Sequence, residues 1–178
     1  HTHIFNTEDE QFSVDSGFIV FNKVNYPNFT NWIRELNVKE SQSDMSFSVS
    51  RAGGKFEWGG SSVFSVFGQK RNLASPRFLK MLFEVIKFNK LAKEFIQKED
   101  VYQHKNSLGS FISERNFSQF FVRNYLAPMA GSIWSTPGSK IADYPTISIL
   151  QFFNNHGLLS LSNHHQWFHL SDGSSSYI

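Results

Sequence analysis

Between Ser75 and Lys98 the sequence specifies one long helix. Ser75 stands where an N-cap is needed, and Pro76 follows at the first helical position, where its missing N–H costs nothing. Phe78, Leu82, Val85, Ala92 and Phe95 recur at helical spacing as one apolar stripe. Lys80, Glu84, Lys87, Glu94 and Lys98 read as the opposite, solvated face. Most of the stability of such a helix comes from packing its apolar stripe. The rest of the chain is therefore expected to supply a core on that side.

The material for a core is plentiful. The 178 residues are 40% hydrophobic and include 20 Phe, about two to three times the share in a typical globular chain. Rings in that number must line a core, a pocket or an interface, and core packing is the ordinary use of each. The length suits one domain, so residues 1–178 are read as a single domain.

Shorter elements flank the helix. Val14 to Asn22 is rich in β-branched and aromatic residues and reads as a strand with an early glycine, Gly17. Tyr26-Pro27 opens a short helix in which Phe29, Trp32, Ile33 and Leu36 share a side. Met45 to Ser50 alternates apolar with polar, Ala52-Gly53-Gly54-Lys55 makes a turn, and Lys55 to Trp58 alternates again, which together spell a β-hairpin. Helices are expected over Leu108–Glu114, Ser118–Leu126 and Thr146–Asn154, punctuated by Pro128, Pro137 and Pro145. Gly131 to Gly138 reads as a loop carrying Trp134. Strands are expected over Leu158–Ser162 and Gln166–Leu170, and Asp172 to Ser176 as a flexible end or a turn. Strands, then helices, then strands give an α+β class, a mixed or antiparallel sheet with a helical subdomain, rather than a βαβ series.

Charge and composition exclude several functions. Seventeen Lys+Arg against 15 Asp+Glu leave +2, no electrostatic footprint for nucleic acid. The longest basic cluster in sequence, Lys70-Arg71, is short for a membrane-surface patch. The absence of cysteine removes disulfides, thiolate metal sites and a Cys nucleophile. No apolar run reaches the roughly 18 residues of a membrane-spanning helix. No signal-peptide pattern opens the sequence, so a cytoplasmic protein without an integral membrane segment is expected.

Chemical motifs are sparse. The chain lacks G-x-G-x-x-G, a P-loop and G-x-S-x-G; Gly53-Gly54 and Gly59-Gly60 read as hairpin-turn glycines. His164, His165 and His169 cluster with His156 upstream. Adjacent His164 and His165 would face opposite sides of a strand and no carboxylate stands at ligand spacing, so no metal is expected. Phe152 to Gly157 places Asn154, Asn155 and His156 where a helix ends on Gly157. That is either a C-cap or the polar corner of an aromatic cavity.

Several stretches together resemble one family. They are His1-Thr2-His3, Val14 to Asn22, Tyr26 to Phe29, Ser43 to Ser50, Arg71 to Leu73, Pro128-Met129, Ile133 to Pro137, Phe152 to Leu158, and Trp167. In this order they resemble bacterial FAD/NAD-binding proteins of the flavin-containing amine oxidase superfamily, with protoporphyrinogen oxidases and phytoene desaturases as more distant relatives. The resemblance runs over nearly the whole chain. Trp167 to Tyr177 resembles the family's W-x-x-x-x-G-G-S-x-x-Y stretch, with Asp172 in place of the first Gly.

The resemblance implies an internal piece of a longer flavin-dependent oxidoreductase. It would hold most of the substrate-binding domain and begin just after the Rossmann segment that grips FAD. It implies that His1, Thr2, His3, Asp15, Ser16, Gly17 and Gly173 border the cofactor, FAD. Phe18, Asn22, Trp134, Asn155, His156 and Trp167 would line the pocket of a small apolar or amphipathic substrate. The FAD-binding domain of the same chain would be the partner, and the flavin would do the redox chemistry, so no catalytic acid or base is assigned. A non-redox ligand-binding or interaction module is the alternative. The piece alone is expected not to hold FAD tightly, for want of a glycine loop and helix N-terminus for the pyrophosphate.

Overall fold

A computed structural model describes residues 2–8, 10–17, 19–98, 106–160 and 165–177. In chain order it runs through strands β1 (Thr2–Asn6), β2 (Gln11–Asp15) and β3 (Phe21–Asn22), then helix α1 (Pro27–Glu35). Strands β4 (Glu40–Ser43), β5 (Ser48–Arg51) and β6 (Phe56–Gly59) follow, with helices α2 (Val63–Val66) and α3 (Pro76–Ile96) after them. Helices α4 (Leu108–Glu114), α5 (Gln119–Phe121), α6 (Ala127–Trp134) and α7 (Thr146–Asn155) precede strand β7 (Trp167–Leu170). The class is α+β with small antiparallel sheets. The chain divides into two compact units: His1–Met45 with Asn163–Ile178, and Ser46–Ser162. Among the described residues no helix is long and apolar enough to cross a membrane.

The first unit holds two sheets. β1 and β2 form a hairpin, with Thr2 opposite Asp15 and Phe5 opposite Phe12. β7, from the far end of the chain, lies between β3 and β4 and pairs antiparallel with both, Phe21 opposite Phe168 and Glu40 opposite Leu170. Pro27 starts α1 as expected, and Thr30 and Ile33 face inward. A small core of Phe21, Ile33 and Leu170 results, with Phe29 and Tyr177 packed against it. The strand expected over Val14 to Asn22 is broken after Asp15, and Phe18 lies outside the described residues. Near the end, Ser174–Tyr177 is a 3-10 helix with a buried Ser174 rather than a flexible tail.

The second unit is built on α3. Ser75 caps it by accepting the Phe78 N–H, and Pro76 occupies its first turn. Phe88 is the hub of the core, its ring 5.7–6.4 Å from those of Phe111, Phe117, Phe121 and Phe153. Edge-on ring contacts of this kind explain much of the phenylalanine content. The expected hairpin forms from β5 and β6, with Val49 buried between exposed Ser48 and Ser50, and Gly53 and Gly54 turning at positive φ. Gly59 closes β6 and Gly60 follows it, so that pair is no hairpin turn.

Glu84 is not on the solvated face. It is 6% exposed, and its carboxylate accepts the Ser118 N–H at 2.8 Å and the Ser118 hydroxyl at 2.5 Å. A carboxylate buried beside the start of α5 is compensated by these bonds and by the positive end of the backbone dipoles.

The expected loop from Gly131 is also corrected, since α6 runs through Gly131 to Trp134. Before it the helix widens into a π turn over Val122–Leu126, where the Ala127 N–H reaches back to the Val122 carbonyl. Pro128 has no N–H to offer the Arg123 or Asn124 carbonyl one turn earlier. Side chains serve both: Arg51 Nη1 donates to the Arg123 carbonyl at 3.0 Å, and Trp58 Nε1 to the Asn124 carbonyl at 3.0 Å. The proline is tolerated because the β5–β6 hairpin supplies replacement donors. Leu158 and Leu159, expected to open a strand, lie in a turn, and residues 161–164 fall outside the described set.

Candidate functional site

The residues expected to border the cofactor gather in the first unit. β1–β2 pairing sets Thr2 opposite Asp15, and the Thr2 hydroxyl donates to Asp15 Oδ1 at 2.7 Å. The end of β7 brings up Gly173 and Ser174. The Ser174 N–H and hydroxyl both donate to Asp15 Oδ2, at 2.8 and 3.0 Å. Next to this knot, His3 Nε2 and the Ser16 hydroxyl are hydrogen-bonded at 3.0 Å.

Gly173 has φ +74, and a Cβ there would come within 3.4 Å of Asp15 Oδ2. The left-handed backbone conformation calls for glycine at this position, while the 3.4 Å separation is an ordinary van der Waals contact. The Thr2 hydroxyl bond, aided by the Ser174 bonds, holds the Asp15 carboxyl below its ordinary value against a smaller opposing effect of burial. His1 and Phe18 lie outside the described residues, and Gly17 is exposed at the bend after β2.

Both Asp15 oxygens are engaged by Thr2 and Ser174, and a carboxylate repels a pyrophosphate. What the arrangement can do is fix three strand ends relative to one another beside a side-chain-free backbone segment.

The residues expected to line a substrate pocket divide between the units. In the first, Asn22 is fully buried and its Oδ1 accepts the Asn25 N–H at 2.8 Å, shaping the turn into α1. Its Nδ2 and that of Asn25 are buried without a hydrogen-bond partner among the described residues. Trp167 is half-buried on β7, opposite Asn22. In the second unit, Trp134 and His156 are joined through Phe152. The Trp134 and Phe152 rings are 4.8 Å apart, and His156 stacks on Phe152 at 3.9 Å. Asn155 is exposed. Gly157, at φ +72, ends α7, and the Leu158 N–H returns to the Phe153 carbonyl at 2.8 Å, so the C-cap reading of this segment is the one the geometry shows.

No family model matches this chain, and no curated protein matches it significantly. Among the described residues no group of three His, Asp or Glu side chains comes together as a metal site. The sequence alone does not single out Ser174, which completes the Asp15 knot. Its signal was its place after Gly173 in the stretch resembling W-x-x-x-x-G-G-S.

Proposed function

We propose that this chain is the substrate-binding part of an FAD-dependent oxidoreductase of the amine oxidase kind, acting on an apolar amine, an unsaturated carbon skeleton or a lipid-like substrate. One observation carries the reading. Thr2-His3 and Asp15-Ser16 share one hairpin and Gly173 lies far along the chain; the resemblance puts these residues beside the flavin, and hydrogen bonds to Asp15 from Thr2 and from Ser174, the neighbour of Gly173, join them.

On this reading the chain borders the flavin and does not hold it; the grip belongs to the FAD-binding domain of the same protein. Asp15 is a positioning residue that ties Gly173 into place. The aromatic side chains orient an apolar substrate and exclude water, while the redox chemistry is the flavin's.

The test is an anaerobic titration of the flavin-loaded protein with apolar amines and unsaturated lipids. Bleaching of the visible flavin bands by one class supports the reading and assigns the class. A flavin that none of them bleaches contradicts it. The second reading, a non-redox binding module, is favoured by an exposed apolar ridge on α3, which redox chemistry does not require.

A further inference from the structure

We propose that the outer face of α3 docks the second unit on the surface of an anionic phospholipid bilayer. This stands independently of the oxidoreductase reading. Leu79, Phe83 and Ile86 are 37%, 73% and 51% exposed. Spaced three and four apart, they form one ridge along the first half of the helix. A phenylalanine so exposed, in line with two aliphatic neighbours, is a surface with a use.

The charge around the ridge says what covers it. α3 carries Arg77, Lys80, Lys87, Lys90 and Lys93 against Glu84 and Glu94. Glu84 is buried and spent on Ser118, so the exposed charges of the helix are five cations and one anion, Glu94, which stands 3.9 Å from Lys90. The helix alone is +3 in a chain that is +2, which leaves the remainder slightly acidic. Lys80 and Lys87 fall along one side of the ridge, while Lys90 and Lys93 continue it toward the C-terminus. Lys87 is fixed there, its Nζ 2.6 Å from the Arg115 carbonyl and 4.8 Å from the Phe117 ring centre.

Apolar side chains on a convex helix face, bounded by lysines, are what an interfacial helix presents. The rings and aliphatic groups enter the headgroup boundary and the lysines meet the phosphates. The hollow beside the ridge, lined by Pro76, Leu79, Lys80, Phe83, Lys87 and Asn116, is open to solvent, and an acidic protein segment seated there is the alternative that the vesicle test excludes.

The 178-residue chain is sedimented with vesicles of phosphatidylglycerol and phosphatidylcholine in equal parts, and with phosphatidylcholine alone. Binding is expected only to the anionic vesicles, and it should weaken as salt is raised. Phe83→Ser should weaken it about tenfold. Lys90→Glu and Lys93→Glu should weaken it about fivefold or more each. Lys140→Glu, away from this helix, should leave it unchanged. Circular dichroism checks that each variant is folded; if Phe83→Ser is not, the lysine variants carry the test. No binding to anionic vesicles overturns the proposal. So does equal weakening by Lys140→Glu, which would mean bulk charge. A dimer abolished by Phe83→Ser in a chain that ignores vesicles also overturns it and assigns the ridge to a second copy.

Discussion

The carboxylate of Asp15 accepts the backbone N–H of Ser174 at 2.8 Å, although 159 positions separate the two residues. The bond ties the β1–β2 hairpin to the segment after β7, and the Thr2 hydroxyl completes it from the other side. Its pH dependence follows from the lowered Asp15 value. A carboxyl whose folded value lies below its unfolded value stabilises the fold above the unfolded value, near pH 4, and that stability is lost as pH falls through the folded value. Acid titration followed by the ring signals of Trp32 and Tyr177 should show the first unit loosening below about pH 4. Asp15→Asn should remove this acid transition, since an amide does not titrate there. It should also lower stability at neutral pH by about 1–2 kcal/mol, because one carboxylate oxygen is replaced by a donor facing other donors.

Trp58 offers a second test. Trp58→Phe keeps a ring against Tyr125 but removes the N–H given to the Asn124 carbonyl. Pro128 cannot replace that donor, so the change should cost about 1–3 kcal/mol in urea unfolding of the second unit. Arg51→Ala should cost less, because Arg51 is exposed. Equal and negligible losses for both would contradict the account of how the proline is accommodated.

Glu84 is the third. Glu84→Ala removes both acceptors for Ser118 and should destabilise the second unit by about 2–3 kcal/mol, whereas an exposed helix carboxylate would cost a few tenths. Glu84→Gln keeps one acceptor and should fall between. Thermal unfolding of the three proteins orders them.

Caps and turn glycines that act within a few residues are dependable at most sites, though not at Gly59-Gly60, and non-local signals are absent from the sequence. Ser75-Pro76, Pro27 and Gly53-Gly54 each act within a few residues, and the helix starts and the turn occur where those residues put them. Glu84 was misplaced because helical spacing alone sets it among lysines, while the partner that draws it inward is Ser118, 34 positions on. From sequence, Gly131 to Trp134 reads as loop, with Pro128 and Gly131 disfavouring helix there. The donors that rescue the helix, Arg51 and Trp58, come from a distant hairpin. Of the candidate site, Thr2, Asp15 and Gly173 were named through the family resemblance. No periodicity connects them: Thr2 meets Asp15 through the β1–β2 hairpin, and Gly173 arrives only because β7 returns to pair with β3 and β4.

The chain alone should not retain FAD. Its carboxylate knot offers no pyrophosphate cradle, and the described helices are not preceded by a glycine loop of the dinucleotide-binding kind. Equilibrium dialysis of the 178 residues against FAD should show no stoichiometric binding. Tight one-to-one binding would contradict this assignment of the chain to the border of the flavin.

The most direct measurement is the visible absorption spectrum of the protein that carries this chain together with its proposed FAD-binding domain, recorded after gel filtration. Flavin bands that travel with the protein are the predicted result, and Asp15→Asn should shift or weaken them. A colourless protein that also fails to take up added FAD would contradict the oxidoreductase reading and leave the chain a non-redox binding module.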